Sequence, residues 1–295
     1  MLLSGRGTGA NFKAAAESLI IAAEKGYAPA QFLLGDLYGK GKGVTQSNSL
    51  ALKWLKASAI QKYQRAYYSL GENMKKGASS SEELQEAIYW LELAAANNEP
   101  QAQYLLSKIY FAGEGVSPDK AIADSYLMNA AENGLPEAQF EYAKRLEEKG
   151  GKNEKTAFFF VSAAENGFAG AFKQAGLYLR DSEKKSDKER AAFFFKQAAD
   201  AGDGLSQLET AYNFDDGIGF PTDRKEALRY YKLSAEQGFV KAEMKLAEAY
   251  NHGEGVNTNF ELAFEYYQRA ANKENSIASG SQDRKSHCWD AQYRK

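Results

Sequence analysis

The 295 residues contain one cysteine, Cys288. No intrachain disulfide framework and no cysteine-rich zinc site can therefore form. Only two histidines are present, His252 and His287. His252 falls at a predicted helix C-terminus, where the helix dipole favours a cation and no catalytic role is needed to explain it. His287 and Cys288 are neighbours in a polar tail, where a nucleophile would lack a positioned base in a formed pocket. No His-Glu-x-x-His, Gly-x-Ser-x-Gly or phosphate-loop pattern occurs, so no catalytic residue and no metal ligand is assigned. The start of the chain lacks the apolar core of about 7–15 residues that a complete secretory signal needs. No apolar run reaches the length of about 18 residues that spans a bilayer. The expectation is a cytoplasmic protein without membrane insertion, although a signal removed earlier would leave no trace. Lys plus Arg is 37 and Asp plus Glu is 39, so neither sign is in excess. That balance excludes binding of nucleic acid or anionic lipid by bulk charge.

A repeat fills this space. Small pairs recur at Ala22-Ala23, Ser58-Ala59, Ala94-Ala95, Ala130-Ala131, Ala163-Ala164, Ala198-Ala199, Ser234-Ala235 and Ala270-Ala271. Their spacing is 36, 36, 36, 33, 35, 36 and 36 residues. A period of this length marks a stacked helical array. A second column of small residues reads Ala15, Ala51, Ala87, Ala123, Thr156, Ala191, Ala227 and Ala263. Three residues later stands a large one: Trp54, Trp90, Tyr126, Phe159, Phe194, Tyr230 and Tyr266. A first-helix column reads Ala30, Ala66, Ala102, Ala138, Ala171, Ser206 and Ala242, with a small residue five positions on, from Gly35 to Ala247. Small residues belong where two helices cross closely, and large ones fill the space opposite. Trp90 and its equivalents are the expected core fillers. The steps of three and four residues describe one face of a helix, and no segment sustains a period of two.

The breakers agree. Pro29, Pro100 and Pro136 are expected at the start of a first helix, and Pro118 and Pro221 at the start of a second, where proline costs no hydrogen bond. Ser80 and Glu83 match a capping box. The turns within pairs carry Gly41-Lys42-Gly43-Val44, Gly113-Glu114-Gly115-Val116, Gly217-Ile218-Gly219-Phe220 and Gly253-Glu254-Gly255-Val256. They follow helices and recur once per repeat, so they read as helix stops and not as phosphate cradles.

Ala-x-x-x-Leu-Gly-x-x-Tyr-x-x-Gly-x-Gly-Val followed by Ala-x-x-Trp-x-x-x-Ala-Ala-x-x-Gly resembles the Sel1-like repeat, a relative of the tetratricopeptide repeat. The clearest copies run from Ala30 to Ala59, Ala102 to Gly134 and Ala242 to Ala271. The resemblance covers about residues 12–272. It implies an all-α, right-handed α/α superhelical solenoid of about seven helix pairs behind a leading half-repeat. Copies four and five depart from the pattern, with turns at Gly150-Gly151-Lys152-Asn153 and Asp181-Ser182-Glu183-Lys184-Lys185. The expected organisation is a flexible N-terminus over 1–10, the solenoid over 11–272, and a polar C-terminal tail or cap over 273–295. In the tail, Trp289 and Tyr293 fit either a capping helix or a flexible docking segment.

The resemblance also implies a non-catalytic scaffold or adaptor that binds another protein or peptide on the concave wall of first helices, as part of a larger complex. Counting along those helices gives Phe32, Tyr68, Tyr104 and Phe140 as an aromatic ladder. Asp36, Glu72, Lys76, Lys108, Phe111 and Lys144 flank it. Aromatic anchors among charges suit a peptide or a partner helix. The same rings also suit packing between adjacent first helices, and the sequence leaves both open. No cofactor is expected. Asp215 and Asp216 read as a solvated helix end. The alternatives are a groove for a small molecule or carbohydrate in a regulatory subunit, and a helical-repeat nucleic-acid binder, which the mixed charge disfavours.

Overall fold

Helix starts are fixed by short polar side chains that satisfy otherwise unpaired N–H groups. Ser47, Asp119, Asn153 and Asp223 each accept a hydrogen bond from the first turn of the helix they precede. Ser80 does the same for Glu83 N–H at 3.2 Å. Glu83 reaches back to Ser79 N–H at 2.7 Å, one residue beyond the Ser80 cap that a simple capping box would engage. Pro29, Pro100 and Pro136 occupy the first turn of their helices. Pro118 and Pro221 do not: they precede the caps Asp119 and Asp223 and lie in the extended link before the helix. Proline suits that link because its ring favours extended backbone just before it.

The structure, a computed structural model, describes residues 11–279, with side chains as far as Lys273. The expectations for residues 1–10 and for His287, Cys288, Trp289 and Tyr293 fall outside the described residues. Fifteen α-helices and no strand occur among the described residues. A leading second helix, α1 (Phe12–Glu24), is followed by seven pairs. The first helices are α2 (Ala28–Lys40), α4 (Arg65–Gly77), α6 (Pro100–Ala112), α8 (Pro136–Gly150), α10 (Phe172–Leu179), α12 (Gly204–Asp216) and α14 (Val240–His252). The second helices are α3 (Asn48–Ile60), α5 (Ser81–Ala96), α7 (Lys120–Glu132), α9 (Glu154–Glu165), α11 (Lys185–Asp200), α13 (Arg224–Glu236) and α15 (Phe260–Ser279). The fifth first helix opens with a 3-10 turn over Ala169–Ala171. Helix α15 continues past residue 272, where the expected tail begins, as far as Ser279.

The contacts divide the chain into two units, residues 1–151 and 152–295. Within each, every helix packs on its neighbours in sequence. The boundary falls in the turn of the fourth copy, which lacks the Gly-x-Gly-Val pattern.

The crossing within a pair is set by Gly35, Gly71 and their equivalents. A methyl group on Gly71 would lie 2.7 Å from Leu91 Cγ and 2.9 Å from the Ala87 carbonyl. On Gly35 it would lie 2.7 Å from Leu55 Cγ. The residues that fill the crossing are Leu55, Leu91, Leu127, Phe160, Phe195 and Tyr231, all nearly or fully buried. They stand one position after the aromatic column. Trp90 is only half-buried and lies at the margin of the core, with its ring 5.8 Å from that of Tyr67. The expectation that Trp90 is the central filler is thus corrected: a helix face is broad enough for two adjacent residues to point inward, and the smaller goes deeper.

Glycines in the turns have two tasks. Gly41 ends α2 in the left-handed region, at φ 65°. Gly43, at φ 73°, lets the turn abut α1, because a Cβ there would fall 2.2 Å from the Phe12 carbonyl oxygen. Val116, after the equivalent turn, packs against the core of the first unit.

A buried polar column ties successive helices. Gln31, Gln103, Gln139 and Gln207 donate side-chain N–H groups to the carbonyls of Ala23, Ala95, Ala131 and Ala199 at 3.1–3.3 Å. Gln31, Gln103 and Gln207 then accept from Gln61, Asn133 and Gln237, each thirty residues later. In the seventh copy Glu243 takes the position. It is fully buried and accepts from Arg269 at 2.9 Å and Lys273 at 2.8 Å.

The Gly71→Ala variant separates two opposing effects. Replacing a helical glycine by alanine gains about 1 kcal/mol of propensity. Crowding the crossing costs about 1–3 kcal/mol. Because backbone and side-chain atoms both stand within 3 Å of the added methyl, crowding wins, and urea unfolding of the variant is expected to show a net loss of stability.

Candidate interaction face

In the first unit, the first helices α4, α6 and α8 carry two adjoining depressions. Tyr68, Glu72, Gln101, Tyr104, Leu105, Lys108, Leu135 and Glu137 line one of about 220 Å³. Lys108, Phe111, Ala112, Glu114, Glu141, Lys144, Arg145 and Glu148 line another of about 420 Å³. Lys108 belongs to both. Six of the ten residues singled out in the sequence, Tyr68, Glu72, Tyr104, Lys108, Phe111 and Lys144, thus come together. Phe32, Asp36, Lys76 and Phe140 line neither depression. Phe32 is half-buried and packs 5.6 Å from the Tyr63 ring. Asp36 pairs with Lys40 at 2.6 Å. Lys76 pairs with Glu72 at 3.0 Å. Phe140 is half-buried, with Lys144 Nζ 5.8 Å from its ring centre.

The ladder serves packing as well as exposure. The Tyr104 hydroxyl donates to Glu141 at 2.9 Å, which ties α6 to α8. Its ring still presents a face, over which Lys108 Nζ sits at 4.0 Å. Phe111 is 53% exposed, and the Arg145 guanidinium lies 5.1 Å from its ring centre. Cations over rings in this way favour planar apolar surfaces that remain partly wet. Lys75 and Glu114 pair at 2.6 Å across α4 and the turn after α6.

Arg145 and Glu141 were missed in the sequence. Arg145 stands where Leu37, Ile109 and Ala249 are buried in other copies. Asp124, on α7, stands where Ile88 and Leu228 are buried. Both departures meet: Arg145 pairs with Asp124, and also with Glu141 at 2.9 Å, while Lys149 reaches Asp124 at 2.6 Å. An apolar contact of the repeat is replaced here by an ion pair. Partial burial would raise the carboxyl pKa of Asp124, but Lys149 and Arg145 outweigh it and hold the group below its ordinary value. The signal was available as two simultaneous breaks in the apolar columns.

In the second unit, Asp215 is not a solvated helix end. It accepts from the Tyr231 hydroxyl at 2.7 Å and pairs with Arg224 at 2.8 Å. Tyr231 is deeply buried, so its hydroxyl requires a partner, and the acid supplies one. Among the described residues no group of three or more His, Cys, Asp or Glu is placed to hold a metal ion. No helix among them is long and apolar enough to cross a membrane.

The family model of the Sel1 repeat matches residues 28–63, 64–99, 100–135, 173–203, 204–239 and 240–275. The unmatched stretch between the third and fourth matches contains the fourth copy and the unit boundary. Among solved structures, a protective antigen of uropathogenic Escherichia coli strains displaying an SLR fold is 30% identical, with a TM-score of 0.61. The alignment covers 89% of this chain and 57% of that one, so the chain spans little more than half the length of the antigen. A Sel1 repeat protein from Oxalobacter formigenes is 26% identical, with a TM-score of 0.51, over 90% of this chain and 79% of its own. No curated protein matches the chain significantly.

The two tyrosines of the face have altered acidity. Burial, then the Glu72 charge, pushes the Tyr68 hydroxyl up to about 12. Burial and the hydrogen bond to Glu141 raise Tyr104 further. An unfolded tyrosine ionises near pH 10. The folded state therefore holds these protons longer, and the associated stability is complete below about pH 10 and lost as pH rises through about 12. Alkaline unfolding followed by circular dichroism is expected to be less steep for Tyr68→Phe than for the native chain.

Proposed function

The chain belongs to the Sel1 repeat family, and we propose that it is a non-catalytic scaffold that takes a partner protein on the first-helix face of its first unit. Sel1 repeat proteins generally mediate protein–protein interaction and are generally non-catalytic. The occupant that suits this face is an extended peptide or a partner helix. One observation carries the reading: Tyr68, Tyr104 and Phe111 line adjoining depressions on three successive first helices, with Lys108 shared between them. Such a row offers apolar anchors at one-repeat intervals, each bordered by charge. Aromatic and arginine side chains in partly desolvated hollows are the usual centres of binding energy.

The charges on the face are of both signs. Glu72, Glu114, Glu137, Glu141 and Glu148 stand against Lys108, Lys144 and Arg145. A phosphate backbone would meet as much repulsion as attraction, which weighs against nucleic acid. A polypeptide with alternating charges meets no such difficulty. A cytoplasmic location is part of the proposal.

The test is partner capture from source-cell lysate, followed by affinity measurement with the captured protein. A Tyr68→Ser/Tyr104→Ser variant that keeps its helical content is expected to lose at least tenfold in affinity, about 1.4 kcal/mol. Equal affinity of the two chains would place the partner elsewhere and leave the tyrosines as packing.

A further inference from the structure

The last second helix leaves open a face that every preceding copy covers. Its Ala263 and Ala270 are buried, and α15 packs on α14 as other second helices pack on their first helices. Four residues after the first alanine of the column stand Leu55, Leu91, Leu127, Phe195 and Tyr231, none more than 2% exposed. Tyr267 holds this position in α15 and is 38% exposed. One residue after the alanine, Ile88 and Leu228 are each 5% exposed, whereas Phe264 is 65% exposed. Eight residues after it, Ala59, Ala95, Ala199 and Ala235 are buried, and Ala271 is exposed. These are the positions that meet the next first helix.

The same column supplies an acceptor. The carbonyls of Ala23, Ala95, Ala131 and Ala199 each receive the side-chain amide of a glutamine on the following first helix. Ala271 is the next member of that column. In each of three copies the glutamine lies within Ala-Gln-aromatic: Ala30-Gln31-Phe32, Ala102-Gln103-Tyr104 and Ala138-Gln139-Phe140. The tripeptide occurs once more in the chain, at Ala291-Gln292-Tyr293.

We propose that residues 289–295 cover the open face of α15 as the first helix of an eighth repeat. Gln292 donates to the Ala271 carbonyl, and Ala291 takes the close crossing beside Phe264 and Tyr267. The connection is long enough. From Ala271 to Ser279 the helix rises about 12 Å. Residues 280–288, when extended, span about 30 Å. The face thus closes on the chain's own C-terminal segment, which removes an apolar surface that an array would otherwise offer to a second copy.

Three tryptophans are present, Trp54, Trp90 and Trp289, so Trp54→Phe/Trp90→Phe leaves Trp289 as the sole reporter in the full chain. Iodide quenching of this residue is expected to be several-fold weaker than that of free indole, and independent of protein concentration. Phe264→Ser/Tyr267→Ser, or Gln292→Ala, is expected to restore the quenching of a free indole. Both residues of the face are already exposed, so the rest of the fold has no reason to fail. Full quenching before the face is altered, or protection that persists after it, overturns the proposal. Protection that grows with concentration shows a second copy on the face and overturns it as well. A second measurement needs no tryptophan replacement. Hydrogen exchange over Phe264–Ala271 is expected to quicken several-fold when the native chain is shortened to end at Cys288, and unchanged exchange contradicts the docking.

Discussion

Everything in this chain depends on how closely two helices can cross. At Gly35 and Gly71 the absence of a side chain brings the partner helix within about 3 Å of where a methyl would stand. Leu55 and Leu91 then fill the space between the pair with no exposure left. In the second unit Gly176 meets Phe195 in the same way. Larger fillers accompany the second unit and smaller ones the first, while the small column stays small. The pair is therefore a conserved crossing within one chain, repeated with different volumes opposite it. A helix pair of this size cannot bury both of its faces alone, so each pair relies on the next.

The link from one pair to the next is partly polar. Gln31, Gln103 and Gln207 are buried and use both ends of their amides, one on the preceding helix and one on the following. A buried amide with both ends satisfied is stabilising only in one register, since a slip would leave it unpaired at a cost of about 1–3 kcal/mol. Apolar packing gives these stacks their energy, and the glutamines fix their alignment. Aligned stacks place equivalent residues of successive first helices side by side. That placement is what turns Tyr68, Tyr104, Lys108 and Phe111 into a surface with a regular pitch.

Most of the fold was legible because helical packing writes itself as columns. Alanine pairs, the glycines of the turns and three of the five prolines located the helices closely. Trp90 and Leu91 show where the reading failed: both lie on the inward side, and the larger residue drew the assignment although the smaller one is buried. Pro118 and Pro221 were placed inside helices because the capping aspartates that follow them were not weighed. The face was legible in part. Tyr68, Tyr104 and Lys108 followed from counting, but Arg145 did not, because its position in other copies is apolar core. Its partner Asp124 breaks a different column on a different helix. Only when the two columns are set against each other does the substitution read as one ion pair. The boundary at Gly151 had a trace in the missing Gly-x-Gly-Val turn, but a lost turn motif does not by itself say that contacts divide there.

The central claim is that partner binding belongs to the first helices of the first unit. The most direct measurement is hydrogen exchange of the chain with and without its captured partner. Slowed exchange concentrated in α4, α6 and α8, with α3, α5 and α7 unchanged, is the predicted result. Slowed exchange confined to the second helices or to the second unit would contradict the account.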